Sequence, residues 1–238
     1  MIEILDKNFY RINGKAYPRI TWINSYYPKD RNFYKWLASK GWDEAEEIKE
    51  TSAESGTKLH SLMNHMLNGS KIEYYRDGVQ QFDDKEWMKL QSFVSWYNDT
   101  KPDEIEYMEQ TVHYDSKKLS FAGTFDLMYI KDDIRYLIDF KTGNGVYPSM
   151  NLQLAAYKYA FEQTHKGKKI DVIGILHLGT KHKRHYNLIL EEDKFKHKDY
   201  FEKFKAVYQI FRNENPVLSP NDKTFESELS LDLNNVIL

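Results

Sequence analysis

Three side chains in this chain have the types and spacing for metal-assisted hydrolysis. Asp126 follows Gly123-Thr124-Phe125, and Asp139 and Lys141 flank Phe140 within Leu137-Ile138-Asp139-Phe140-Lys141-Thr142-Gly143. The apolar run 134–141 reads as a strand, so Asp139 and Lys141 leave one face and Phe140 the other. A strand over 119–130 precedes it, and the short turn Lys131–Asp133 makes the two antiparallel neighbours. Two carboxylates converging across such a pair form an oxygen site for Mg²⁺ or Mn²⁺. Lys141 can orient or deprotonate an attacking water, or offset the charge of a five-coordinate phosphodiester. The metal would supply Lewis acidity, a more acidic water and a template for in-line attack.

Two flanks add to this set. His60, in Gly56-Thr57-Lys58-Leu59-His60, lies at the edge of the helical stripe Leu59, Leu62, Met63, Met66 and Leu67, which Asn68-Gly69 ends. An imidazole there can be a third ligand, favouring Mn²⁺ over Mg²⁺, or a packing histidine. Gly56, one turn earlier on that face, permits close approach by another element. Gln153 and Tyr157 are one helical turn apart, so an amide and a phenol share a face and can bond phosphate oxygens or the lysine. Glu109, on the strand before Asp126, can add a carboxylate. Glu106 competes for that role, and periodicity does not separate them.

The elements that must hold these residues follow from periodicity and turn chemistry. Asn13-Gly14 marks a hairpin between Phe9–Ile12 and Lys15–Tyr17, and Pro18 ends the second strand. Helices are predicted from Asp30 to Trp42, Asp43 to Glu54, and through the 59–67 stripe. A loop over 70–82 and a helix from Asp84 to Asn98 follow. The period then changes to two, giving strands at 105–113, 119–130 and 134–141. Next come a helix from Met150 to Gln163, strands at 170–178 and 184–190, and a helix burying Tyr200, Phe201, Phe204, Val207, Tyr208 and Phe211. This order predicts an α/β fold with a central mixed sheet flanked by helices. The chain reads as one domain: hairpin and helices over 1–54, a core over 55–212, and a loosely held tail over 213–238.

Composition narrows the function classes. The chain has 238 residues, 34 Lys and Arg against 36 Asp and Glu, and no cysteine. Thiolate zinc sites, cysteine nucleophiles and cysteine-ligated clusters are therefore excluded. A net charge of -2 requires any nucleic acid to be held by a local basic surface. The start of the chain has charges where a signal peptide needs an apolar run, no stretch suits a membrane span, and a cytoplasmic location is expected.

Taken together, the motifs resemble the RecB-like branch of the PD-(D/E)XK nuclease superfamily. Its pattern is G-T-x-x-H, a strand Glu, G-x-x-D, (D/E)-x-K-T and Q-x-x-x-Y. The matching residues are Gly56 to His60, Glu109, Gly123 to Asp126, Asp139 to Thr142, and Gln153 to Tyr157. The opening Asn13-Gly14-Lys15 with Tyr17-Pro18-Arg19-Ile20-Thr21 is similar to that of phage-type and mitochondrial genome maintenance exonuclease-like members. The resemblance implies a restriction-endonuclease-like core and a Mg²⁺- or Mn²⁺-dependent exonuclease acting on DNA with single-stranded or free ends, in a phage-encoded setting within a host cytoplasm. It also implies that His60, Asp126 and Asp139 are metal ligands, that Lys141 is catalytic with Asp126, Asp139 and Glu109, and that Gln153, Tyr157 and Thr142 contact substrate. Two departures stand out: Phe125 replaces the proline of the superfamily name, and the second acid is Asp139 rather than Glu.

Basic patches at Lys166–Lys169 and Lys181–His185 flank the strand 170–178, and Lys168, Lys183 and Arg184 are the expected phosphate contacts. Solvated lysine-rich turns are the bland alternative for both. A catalytically silent nucleic-acid-binding module and a structure-specific endonuclease are the competing functions. No glycine-rich phosphate loop supports nucleotide triphosphate use.

Overall fold

The computed structural model describes residues 2–182 and 184–228. In chain order its elements are β1 (Ile2–Ile4), β2 (Phe9–Ile12), β3 (Lys15–Pro18), α1 (Ile20–Asn24), α2 (Arg31–Lys40), α3 (Trp42–Leu67), β4 (Tyr75–Arg76), β5 (Val79–Gln80) and α4 (Asp84–Thr100). They continue with β6 (Glu104–Asp115), β7 (Ser120–Lys131), β8 (Ile134–Lys141), α5 (Pro148–Thr164), β9 (Val172–Leu178), β10 (Tyr186–Glu191), α6 (Lys194–Glu214) and β11 (Lys223–Phe225). Five strands form a mixed sheet in the order β10-β9-β8-β7-β6. Only β8 and β9 are parallel, because α5 carries the chain across between them. This is the α/β architecture with a mixed central sheet expected of a restriction-endonuclease-like core.

Helices cover both faces. Leu137, Ile173 and Ile175 pack with Leu154, Phe161, Phe204 and Phe211 of α5 and α6, and α1 adds Ile20 and Ile23. Leu127, Ile138, Phe140 and Leu176 pack on the other face with Leu59 and Met63 of α3 and Phe93 and Trp96 of α4. The strands β8 and β9 are buried on both sides, which explains their nearly continuous apolar runs.

One irregularity shapes the centre. Strict alternation would put Phe125 and Leu127 on one face. Instead Phe125 lies in the α5 cluster and Leu127 in the α3 and α4 cluster. The β6–β7 register passes from Met108–Leu127 to Gln110–Phe125 and skips Glu109 and Asp126, with Glu109 held at φ 45°. At the same level β7 leaves β8, since their pairing runs only from Lys131–Ile134 to Leu127–Ile138. The first half of β7 turns instead to Arg19, which bridges Ala122.

Several sequence expectations are corrected here. The two helices expected over 43–54 and 59–67 are one 26-residue helix, with Gly56 in its interior. The expected loop 70–82 holds the small hairpin β4–β5, turned by Asp77 and Gly78 at positive φ. The short helix α1 was not foreseen. The start of the tail is tied down: β11 pairs with β1, and Asp222 accepts from the Asp6 amide at 2.8 Å and bonds the Arg11 guanidinium. Residues 229–238 lie outside the described residues. Among the described residues no helix is long and apolar enough to cross a membrane.

Candidate active site

The site forms where β7 and β8 part. Asp139 occupies the β8 register position opposite Ile175 of β9, and its residue is 3% exposed. Lys141, two residues on, brings its ammonium to 2.5 Å from Asp139 Oδ2, as the shared strand face requires. Phe140 points the other way, into the α3 and α4 core, where it meets Phe93 and the edge of His60. Its backbone amide would face β7, but the ladder has already ended. The Asp126 carboxylate takes that amide instead, Phe140 N–H donating to Asp126 Oδ2 at 2.6 Å. From α3, His60 Nδ1 donates to Asp126 Oδ1 at 3.0 Å.

The opposite wall comes from α5. Gln153 donates to the Tyr157 hydroxyl at 2.8 Å and makes a long 3.5 Å contact with Asp139 Oδ1. Tyr157 lies over Gly123: a Cβ there would sit 2.6 Å from Tyr157 Cε1 and 2.9 Å from Ile20 Cδ1. The glycine three residues before Asp126 thus makes room for the phenol and for α1. Gly56 is less constrained, since a Cβ there would meet only Thr142 Oγ1, at 3.5 Å.

Charge and burial oppose one another throughout this group. Burial pushes the Asp139 carboxyl above its ordinary range, Lys141 pulls it back, and Asp126 lifts it again; the net direction is up. Burial also raises Asp126, but His60 outweighs it, with help from Lys141 and the Phe140 amide, and the net direction is down. For Lys141 burial favours the neutral amine, yet the two carboxylates keep the ammonium favoured. Burial holds the Tyr157 phenol protonated, well above its ordinary pKa.

The other residues expected at the site are placed differently. Glu109 lies across from Asp126 along the strand, but its side chain is exposed and makes no hydrogen bond or ion pair among the described residues. Glu106 is the extra residue at the β6 bulge and is held by Arg135 and Lys168, both at 2.6 Å. That contact places Lys168, an expected phosphate contact, at the start of β8 rather than beside Lys141. Arg184 is ion-paired with Asp99 at 2.5 Å, and Lys183 lies outside the described residues. Thr142 borders the site without a hydrogen bond of its own.

Sequence reasoning missed two groups around the site. His177, in register with Lys141, donates from Nε2 to the Gly143 carbonyl at 2.7 Å and steadies the turn after β8. The Tyr10 hydroxyl and Thr111 both bond Thr124, at 3.0 and 2.9 Å, two residues before Asp126. The His177 and Tyr10 contacts join segments distant in sequence, which no local spacing signals.

The description of the PD-(D/E)XK nuclease superfamily matches residues 32–224, most of the chain. The chain belongs to this superfamily. Solved structures similar to this member of the superfamily include a protein from Eubacterium rectale named, provisionally, as an exonuclease. It has 13% identity over 79% of this chain and 80% of that one, with a TM-score of 0.43. A second, named SSO0001, also has 13% identity, over 51% and 57% of the two chains, with a TM-score of 0.30. No curated protein matches it.

The donor set was tested against a divalent ion. Among the described residues no three His, Asp or Glu side chains converge as a ready-made cage. Two adjacent carboxylates do meet, with Lys141 2.5 Å from Asp139 Oδ2 and His60 and the Phe140 amide on Asp126, and lone pairs remain on both acids. Spare buried acceptor capacity on two acids fits Mg²⁺, which is commonly held by one or two carboxylates while keeping waters and substrate oxygens.

Proposed function

We propose that this nuclease is a Mg²⁺- or Mn²⁺-dependent deoxyribonuclease that degrades DNA from single-stranded or free ends. The observation that carries the reading is the meeting of Asp126, Asp139 and Lys141 where β7 and β8 separate, with His60 on one side and Gln153 and Tyr157 on the other. The exonuclease preference rests on the likeness of the Asn13–Thr21 opening and the five spaced motifs to RecB-like members. A complete set of two acids and a lysine argues against a silent binding module.

In this reading Asp126 and Asp139 hold the ion, which supplies Lewis acidity and an acidified water when bound. His60 orients Asp126 through its Nδ1–H and stands ready as a further donor. Lys141 remains an ammonium beside two carboxylates, so it aligns the attacking water and offsets charge on the phosphoryl oxygens. Gln153 and Tyr157 offer uncharged donors that do not repel a phosphodiester. Glu109 is exposed and is assigned no step in this reading.

The test compares wild type with Asp139→Ala on end-labelled linear single- and double-stranded DNA and on circular DNA, with Mg²⁺, Mn²⁺ or EDTA. Linear single strands should shorten only with metal, circles should persist, and the variant should lose at least about a hundredfold in rate. Cleavage by neither protein would sink the enzyme reading. Equal cleavage by both would sink the site, and circles cut as fast as linear strands would remove the exonuclease label.

A further inference from the structure

A cleft of about 690 Å³ opens beside the residues that follow Lys141. Thr142, Gly143 and Asn144 line it together with His177, Lys85 and Lys89 of α4 stand on one side, and Thr180 and Lys181 of the β9–β10 turn on the other. No carboxylate lines it, although the chain carries 36 Asp and Glu. Lys85, Lys89 and Lys181 form no ion pair among the described residues, whereas nearby Lys58 is held by Glu86 at 2.8 Å.

Two features argue against an incidental lysine cluster. Lys85 and Lys89 are four apart on α4, a like-charge pair that weakens a helix unless an anion lies between. The stem of Lys89 is also fixed: Gly179, at φ +70°, lets it lie so close that a Cβ would be 2.8 Å from its Cγ. A packed stem with a free ammonium presents charge to the cleft at small entropic cost. Met88, partly exposed, adds apolar surface for a sugar or base. The volume suits a small phosphorylated ligand and not a duplex.

We infer that this cleft seats the nucleotide unit adjoining the scissile bond, with Lys85, Lys89 and Lys181 holding its phosphate oxygens. The inference rests on the nuclease reading and names the substrate path for that same site. The ligand chemistry, a nucleoside phosphate, can come from a continuous strand or from a released mononucleotide.

The test measures binding of a fluorescent single-stranded oligonucleotide to the full chain by anisotropy in EDTA, over a salt series, so that no turnover is needed. Lys85→Ala/Lys89→Ala/Lys181→Ala is compared with Lys117→Ala/Lys118→Ala/Lys198→Ala, which removes three exposed lysines elsewhere, and with Lys85→Arg/Lys89→Arg, which keeps the charge. Three lost phosphate contacts should make the log–log salt slope shallower by about 2 and weaken low-salt binding at least tenfold. The control triple and the arginine variant should keep the wild-type slope, and melting temperatures should agree. A deoxynucleoside monophosphate that displaces the oligonucleotide from wild type would identify the cleft as a product seat; failure to displace would identify a strand path. An unchanged slope in the cleft triple, with wild type binding well, overturns the cleft and leaves the nuclease reading intact. No binding by wild type overturns both.

Discussion

The two ends of β8 carry charged groups of similar size and opposite completeness. At its start Arg135 donates to Glu106 at 2.6 Å and to the Lys169 carbonyl at 2.9 Å, while Lys168 donates to Glu106 and to the Tyr107 hydroxyl. Burial raises Glu106, but these donors outweigh it and hold its carboxyl below the ordinary range. At the far end, Lys141 and His60 each meet one carboxylate, the two acids stand close enough that Asp126 raises the Asp139 pKa, and Asp139 is almost wholly buried. The first group satisfies itself and fastens β6 to β8. The second crowds two neighbouring carboxylates against one ammonium and one imidazole, an arrangement that costs stability unless a cation completes it. Similar ion pairs at two ends of one strand therefore support different roles.

The largest effect that tests this contrast is on turnover. Lys141→Ala should lower cleavage about a hundredfold or more and retain metal affinity measured by calorimetry, and with Mg²⁺ present to offset the two carboxylates it should keep its melting temperature within a few degrees. Glu106→Ala should do the reverse. It strands Arg135 with no carboxylate, so unfolding free energy should fall by roughly 2–3 kcal/mol, discounted because Arg135 is partly exposed, with kcat unchanged. Denaturant melts and steady-state rates on the same preparations check both. Loss of activity in Glu106→Ala at a temperature where it remains folded would erase the distinction between the ends.

A smaller effect separates half-buried His60 from buried His197. At His60 burial favours the neutral ring, but Asp126 outweighs it and raises the pKa above 6.5. Its stabilising contribution is therefore complete below 6.5 and fades as pH rises through the raised value. His197 has the opposite sign. Burial lowers its pKa below 6.5, and a single bond to the Glu191 carbonyl at 2.7 Å does not compensate. Between its lowered value and 6.5 the unfolded chain binds more protons, so acidification costs stability. Urea melts across pH should show the wild type's advantage over His60→Gln shrinking above 6.5, and its advantage over His197→Gln shrinking below it. The same slope for both pairs would contradict the assignment.

The residues that share a face through local spacing were legible in the sequence. Asp139 and Lys141 follow from a period of two, Gln153 and Tyr157 from a helical turn, and Asn13-Gly14 from the positive φ that its turn requires. What escaped depends on distant parts of the chain. The phase change at Asp126 arises because half of β7 pairs with β8 while the other half meets Arg19, α1 and the first hairpin. No propensity within 119–130 encodes that division. The expected gap between the helices at 43–54 and 59–67 is absent, since an interior glycine costs only about 1 kcal/mol and the 26-residue helix runs through Gly56. Lys168 looked like a phosphate contact because its partner, a bulged glutamate 62 positions earlier, is invisible to composition.

Glu109 provides the finest discrimination. It stands across from Asp126, where an acid in this superfamily pattern was expected to serve the site, but its backbone is left-handed at φ 45° and its side chain is exposed. A left-handed conformation costs an L-residue about 1–2 kcal/mol, whereas glycine adopts it freely and loses part of that gain to chain entropy. Glu109→Gly should therefore stabilise the fold by about 0.5–1 kcal/mol, and Glu109→Ala, which keeps the strain and removes the carboxylate, should change stability little. Both should cleave DNA at the wild-type rate. If both lose turnover equally, the carboxylate itself serves the reaction and its exposed position must change with metal or substrate. If only the glycine variant loses turnover, the left-handed kink is what aims Asp126, and backbone geometry rather than a further acid completes the site.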